Sequence, residues 1–297
     1  MLGPIGKAAK SALGRAGYEI ARPTVAERSL VRSYWADWFS RNPQQFSKIY
    51  AGNRGALERV PSWTGDIDNS LWRYGVPPMW SSHLREIGKT ALDEVEPEIT
   101  YTDLIGFVAS YLEPLKYLEI GVSVGKNLWQ VANLFPKATI YGLDVEKPNP
   151  SLVKLFDRVE IAWEGGGQKV ETLSGEMTTI RLTHYRLIRD EAEPIIYVQG
   201  DQFAPETWDS IRQNFNFIFS DGVHSGSALR DEMDHFERCG LIDREGPFAL
   251  YWDDLVNEDM QSAFLSNCER LGDGRMSMHR IHGTYGAKRY NGMFTNF

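Results

Sequence analysis

The sequence predicts an α/β protein: a mostly parallel, seven-stranded sheet with helices on both faces, preceded by an N-terminal helical cap. From about residue 99, short apolar runs alternate with segments of helical period, the rhythm of a parallel sheet. The runs are apolar throughout instead of every second residue, as strands buried on both faces require. An acid stands at almost every run's end: Glu119, Asp144, Asp201, Asp221, Asp253 and Asp254. Sheets of this kind bind ligands at the carboxyl ends of their strands.

The elements follow in order. "KYLEIGV" is an apolar run stopped by glycine, "NLWQVANLF" has helical spacing, and "ATIYGLDVE" is a strand ending in acids. A helix is expected at "PSLVKLFDRV", a strand at "PIIYVQGD", a helix at "PETWDSIRQNF" and a strand at "FNFIFSDG". Then come "SALRDEMDHFERCGL" as helix, "PFALYWDDL" as strand and "NEDMQSAFLSNCERL" as helix, with strand-like pieces at "MSMHRIHGT" and "NGMFTNF". Residues 159–194 fit the alternation poorly and read as an inserted hairpin or a flap. Gly165 to Gly167 within them precede no helix and read as a flexible turn.

Residues 1–98 form the other expected unit, an N-terminal arm and helical cap, with 99–297 as the second domain. The cap is rich in aromatics, among them Trp35, Trp38, Phe46, Tyr50, Trp63, Trp72 and Trp80, suited to core packing or a substrate pocket. Its surface also makes a homo-oligomer conceivable. The first 23 residues are basic and glycine-containing, without the apolar core of a signal peptide, and read as a loose arm. No apolar stretch approaches the roughly 20 residues that span a bilayer. With a net charge of −8, nothing global argues for nucleic acid or an anionic membrane as partner, although the basic start could lie on a membrane surface. The two cysteines, Cys239 and Cys268, form no metal spacing and read as thiols of a reducing, cytoplasmic compartment.

The first strand-turn-helix reads "YLEIGVSVGKNLWQ", with Glu119 two residues before Gly121 and Gly125 four after it. Glycines there let backbone approach a ligand and expose amides at a helix start. A tight turn without ligand would use them equally well. The dinucleotide fingerprint G-x-G-x-x-G is not met, and no Tyr-x-x-x-Lys pair supports short-chain dehydrogenase chemistry. The stretch resembles the first motif, E-I-G-x-x-x-G, of class I S-adenosylmethionine-dependent O-methyltransferases. That resemblance covers about residues 99–297 and implies a Rossmann-like fold with S-adenosylmethionine as cofactor. It further implies that Gly121 and Gly125 let the chain pass close to the methionine part and that Asn127 with nearby amides holds the methionine carboxylate. Glu119, Ser123 and Asp221 also belong to the cofactor site it implies, with Asp221 catalytic as well. Asp144 would take both ribose hydroxyls, and Asp201 and Gln202 in "VQGDQ" would contact adenine.

The opposite end of the site is "FSDGVH" and "YWDDL". Asp221, Asp253 and Asp254 meeting at one sheet edge would repel unless neutralised, and oxygen-only ligands point to magnesium. The pattern resembles metal-dependent O-methyltransferases, nearest the bacterial branch that methylates sugar hydroxyls on macrolides. There Asp-x-x-His precedes an acidic pair, here Asp221-Gly-Val-His224 and Asp253-Asp254. The pair starts with Asp253 where members of that branch carry glutamate. The resemblance implies Mg2+ on the three aspartates, His224 as general base, and a small-molecule acceptor such as a glycoside or sugar. Simpler roles stay open: Asp221 closing its turn through its backbone, Asp254 capping the helix near "VNEDM", His224 capping the helix after its own strand. So do three alternatives, namely a metal-independent methyltransferase, a binding protein without catalysis and a nicotinamide-dependent oxidoreductase.

Overall fold

The computed structural model describes residues 42–58, 101–171, 175–279 and 290–297. Trp35, Trp38, Trp63, Trp72, Trp80 and most of "HGTYGAKRY" lie outside these residues. The parallel centre of the sheet is β1 (Lys116–Ile120), β2 (Thr139–Asp144), β5 (Ile195–Gln199), β6 (Phe217–Ser220) and β7 (Ala249–Trp252). The full order is β3-β4-β5-β2-β1-β6-β7-β9-β8, nine strands where the sequence predicts seven. The additional pair is β3 (Arg158–Glu171) and β4 (Met177–Ile188), which occupy the segment expected to be an insertion or flap. β9 (Asn291–Thr295), antiparallel to β7, and β8 (Arg275–His279), antiparallel to β9, close the other edge, as the last two apolar pieces suggest.

Alternation divides the central strands between two cores. Tyr117, Phe217, Phe219 and Tyr251 face one side, packed with Leu104, Val108 and Leu128. Leu118, Ile120, Ile218, Leu250 and Trp252 face the other, packed with Leu229, Met233, Phe236 and Phe264. Both faces are dry, so the strands read as unbroken apolar runs. The first side is covered by α2 (Tyr101–Ala109) and α3 (Lys126–Leu134), the second by α6 (Gly226–Arg238) and α7 (Glu258–Leu271).

Two predicted helices are shorter than expected. α4 spans only Pro150–Val153, because Phe156 turns inward against Trp129 at 5.8 Å between ring centroids and β3 begins at Arg158. α5 is Pro205–Ser210, not the whole of "PETWDSIRQNF". Gly165 to Gly167 are not the hairpin turn: they sit inside β3, at a break in its register with β4 between Glu164 and Gly167. Such a bulge locally disrupts the ladder. It also explains why the sequence shows no strand period there.

α1 (Pro43–Glu58) lies within the predicted cap and packs on α2 and α3. Asp103 of α2 has no exposed side-chain surface. It accepts from Asn53 at 2.8 Å and from both terminal nitrogens of Arg54 at 3.0 Å. The Trp129 indole donates to the Ala56 carbonyl at 3.0 Å.

Candidate functional site

The loop leaving β1 runs through three left-handed residues, Gly121, Ser123 and Gly125. It is tied to β2 through Asp144. One Asp144 oxygen accepts from the Ser123 amide at 2.7 Å and the other from the Glu146 amide at 2.9 Å. Burial raises the Asp144 carboxyl, those amides oppose the rise, and the charge of Asp221 adds to it. The Val145 N–H also lowers it, and a carboxylate with about four acceptor sites can still accept from a further hydroxyl.

Glu119 is 1% exposed and accepts from the Tyr117 hydroxyl at 2.9 Å. Burial pushes it well above the usual carboxylate range, with Asp221 and Asp144 adding to the rise. Asn127 is buried on α3, and its carbonyl oxygen accepts from Thr102 of α2 at 2.5 Å.

The hairpin β3–β4 overhangs this edge. Thr183 pairs with Gln199, the last residue of β5, so Met177 to Leu182 lie past the carboxyl end of the sheet. Gln168 pins the overhang down, its oxygen accepting from the Asp201 amide at 3.0 Å and its nitrogen donating to Thr207 at 2.9 Å. Asp201 in turn accepts from the Phe203 amide at 2.9 Å. Gln202 reaches away from this loop to the turn after β6, where its oxygen accepts from Val223 N–H at 3.3 Å.

Asp221 and Asp253 follow the adjacent strands β6 and β7 in step: Asp221 N donates to Ile120 at 2.8 Å and Asp253 N to Ser220 at 2.9 Å. His224 lies between two of the aspartates, Nε2 3.1 Å from Asp221 Oδ1 and Nδ1 3.7 Å from Asp254 Oδ2. Burial works against its imidazolium, yet the Asp221 hydrogen bond and the charges of Asp221, Asp254 and Asp253 leave its pKa raised. Asp253 is pushed well above the carboxylate range by burial, then by Asp221 and Asp254, and it accepts from the Asn291 side chain. Asp254 holds a positive φ of 51° and is buried.

Neither helix after these turns is capped by the residues the sequence left open for that role. Ser225 caps α6 through Ala228 N at 3.1 Å, and Asn257 caps α7 through Met260 N at 2.9 Å.

The structure therefore brings Asp144, Ser123, Gly121, Asp221, His224, Asp253 and Asp254 to one edge, and the charge of Asp221 acts on Glu119, Asp144 and Asp253 alike. Among the described residues, no group of three or more His, Cys, Asp and Glu side chains is disposed to hold a metal ion. His224 and Asn291 instead meet the carboxylates that the sequence suggests a cation would meet.

Sequence reasoning misses Gln168, Asn291 and Glu232. Only Glu232 carries a signal: it is an acid in the apolar stripe of Leu229, Met233 and Phe236, a position that α6 buries. The remaining histidines stay apart from this cluster where they are described. His184 bonds Ser210 at 2.8 Å, and His235 stacks on Trp208.

No family model and no curated protein matches the chain. Among solved structures, a precorrin-6y C5,15-methyltransferase from Geobacter metallireducens is similar at 17% identity and a TM-score of 0.37, over 68% of this chain and 92% of that one. An O-methyltransferase from Bacillus cereus in complex with SAH is similar at 11% identity and a TM-score of 0.40, over 97% and 96%. The MycE methyltransferase of mycinamycin biosynthesis, in complex with Mg, SAH and mycinamycin VI, is similar at 17% identity and a TM-score of 0.36, over 61% of this chain and 44% of that one. TM-scores below 0.5 assign no activity, so the functional reading rests on the site itself.

Proposed function

We propose that this chain is an S-adenosylmethionine-dependent O-methyltransferase acting on a hydroxyl of a sugar or another small polyoxygenated molecule. The observation that carries the reading is the meeting of the glycine loop with the acid-imidazole turn. A Cβ placed on Gly121 would lie 2.1 Å from the Asp221 carbonyl oxygen, so a cofactor on that loop has its reactive end beside Asp221 and His224. In this reading Asp144 takes the ribose hydroxyls, Ser123 and Gly125 line the methionine part, and Asp201 borders the adenine. Asn127, whose oxygen accepts from Thr102, holds the methionine carboxylate together with nearby amides. Residues 99–297 form the catalytic unit and 1–98 the cap. Free thiols at Cys239 and Cys268 suit a reducing, cytoplasmic setting.

The base assignment follows from the imidazole's partners. A carboxylate only accepts, so the nitrogen 3.1 Å from Asp221, Nε2, carries the proton. Nδ1, at 3.7 Å from Asp254, lies beyond hydrogen-bond reach of it and is the nitrogen open to an acceptor hydroxyl. Nδ1 takes the hydroxyl proton, the oxygen forms a bond to the methyl carbon, and the carbon-sulfur bond breaks to leave S-adenosylhomocysteine. Asp254 then faces the imidazolium and stabilises it. Such a base contributes typically 10²–10⁴-fold.

Asp221, Asp253 and Asp254 are the oxygen donors a hard divalent cation takes, but as placed they are not disposed to hold one. Magnesium would need them to close around it, and would then neutralise them and polarise the acceptor oxygen. Metal-independent transfer is the second reading. It is favoured by the ties that His224 and Asn291 already make to these carboxylates. Calorimetric titration with S-adenosylhomocysteine and with NAD, followed by transfer of radiolabelled methyl to a glycoside panel with and without EDTA, tests both. Binding of NAD in place of S-adenosylhomocysteine would sink the proposal, and full activity in EDTA would remove the cation alone.

A further inference from the structure

The side-chain amide of Gln202 is engaged at both ends inside the protein. Its Oε1 accepts from Val223 N–H at 3.3 Å, and its Nε2 donates to Glu232 Oε1 at 3.5 Å. Val223 sets this orientation, because a backbone N–H only donates and so needs the amide oxygen as its acceptor. The main chain is held as well, the Trp208 indole donating to the Gln202 carbonyl at 2.7 Å. Contact with the turn is tight: a Cβ on Gly222 would lie 2.4 Å from Gln202 Oε1.

Glu232, 1% exposed on α6, completes the connection. Its second oxygen accepts from the Ser220 hydroxyl at 2.8 Å. Ser220 immediately precedes Asp221, and Val223 immediately precedes His224. One buried carboxylate thus holds the entry of the turn directly and its exit through Gln202.

We infer that Glu232 and Gln202 are positioning residues, a brace that sets the Asp221–His224 turn against the loop after β5, and that Gln202 does not read the cofactor's adenine. The inference builds on the proposed role of His224. The brace gives that role a physical basis, since a base must be held within hydrogen-bond reach of its proton. It also ties the cofactor side of the site to the acid-base side without passing through either ligand.

Amide hydrogen exchange at Val223, followed by NMR, together with calorimetric titration with S-adenosylhomocysteine, tests the brace. Gln202→Met keeps the volume and removes the acceptor. Exchange at Val223 is expected to speed by about tenfold, the worth of one hydrogen bond, while affinity for S-adenosylhomocysteine stays within about threefold. Glu232→Gln, whose oxygen can still accept from Gln202 while its amide donates to the Ser220 hydroxyl, is expected to keep exchange near that of the parent, whereas Glu232→Ala follows Gln202→Met. Unchanged exchange in Gln202→Met overturns the brace. Unchanged exchange with weakened binding returns Gln202 to the adenine. If the parent protein binds no S-adenosylhomocysteine, the methyl-transfer reading fails, and Val223 exchange still judges the brace.

Discussion

Gly121 and Asp221 meet backbone to backbone: a Cβ on the glycine would come within 2.1 Å of the Asp221 carbonyl oxygen and 2.8 Å of the Gly222 nitrogen. Parallel pairing of β1 with β6 ends at Ile120 and Ser220, so the two loops leave the sheet side by side. With φ at 78°, the glycine bends its loop over the turn that carries the acid. The two halves of the proposed chemistry share this one contact.

Gly121→Ala adds a side chain where neither the conformation nor the space admits one. The expected loss is about 2 kcal/mol or more of folding stability, from left-handed strain and a displaced backbone. S-adenosylhomocysteine binding should fall with it. Urea denaturation beside calorimetry measures both, and a variant of parent stability would show that the loops can separate freely.

Asp144→Ala removes the carboxylate that joins the β1 loop to β2. Loss of charged hydrogen bonds to the ribose predicts about 10- to 100-fold weaker S-adenosylhomocysteine binding, at roughly 1.5–3 kcal/mol for each such bond. Parent-like affinity would assign the ribose to another residue.

His224→Ala and Asp221→Asn should each lower methyl transfer by about 10²–10⁴-fold, the usual contribution of a positioned base. Both side chains are partly exposed, so thermal unfolding should move little. Turnover equal to the parent in either variant removes that residue from the mechanism.

Glu232 makes stability depend on pH. Burial pushes it up to about 7 from 4.5, despite Ser220, Trp252 and His224 acting to lower it, with Asp231 adding to the rise. Between these values the folded state keeps a proton that the unfolded chain has lost. Its contribution is therefore complete below pH 4.5 and fades as pH rises toward 7, by about 3 kcal/mol at most. Glu232→Gln should flatten that part of the pH profile relative to the parent, as urea midpoints at pH 5 and 8 would record. Parallel profiles would mean that Glu232 ionises normally.

Local pattern made the parallel strands legible. β1, β2, β5, β6 and β7 are buried apolar runs that stop at a polar residue, and nothing in their recognition depends on distant partners. The hairpin was not legible in the same way. β3 is mostly exposed and broken at Gly167, so its strand character comes from pairing with β4 and not from its own period. The candidate acids were readable because each terminates a strand. Gln168, Asn291 and Glu232 were not placed beside them, because their partners are set by register and helix docking.

By itself, then, the sequence determined which strands form the dry centre and which acids stand at their carboxyl ends, since burial on both faces writes itself into composition. Only the tertiary structure decided that His224 lies between Asp221 and Asp254, that Asn291 meets Asp253, and that Glu232 supports the turn from beneath. Those contacts join residues far apart in the chain, and their distances come from ladder register and helix packing, which no single segment encodes.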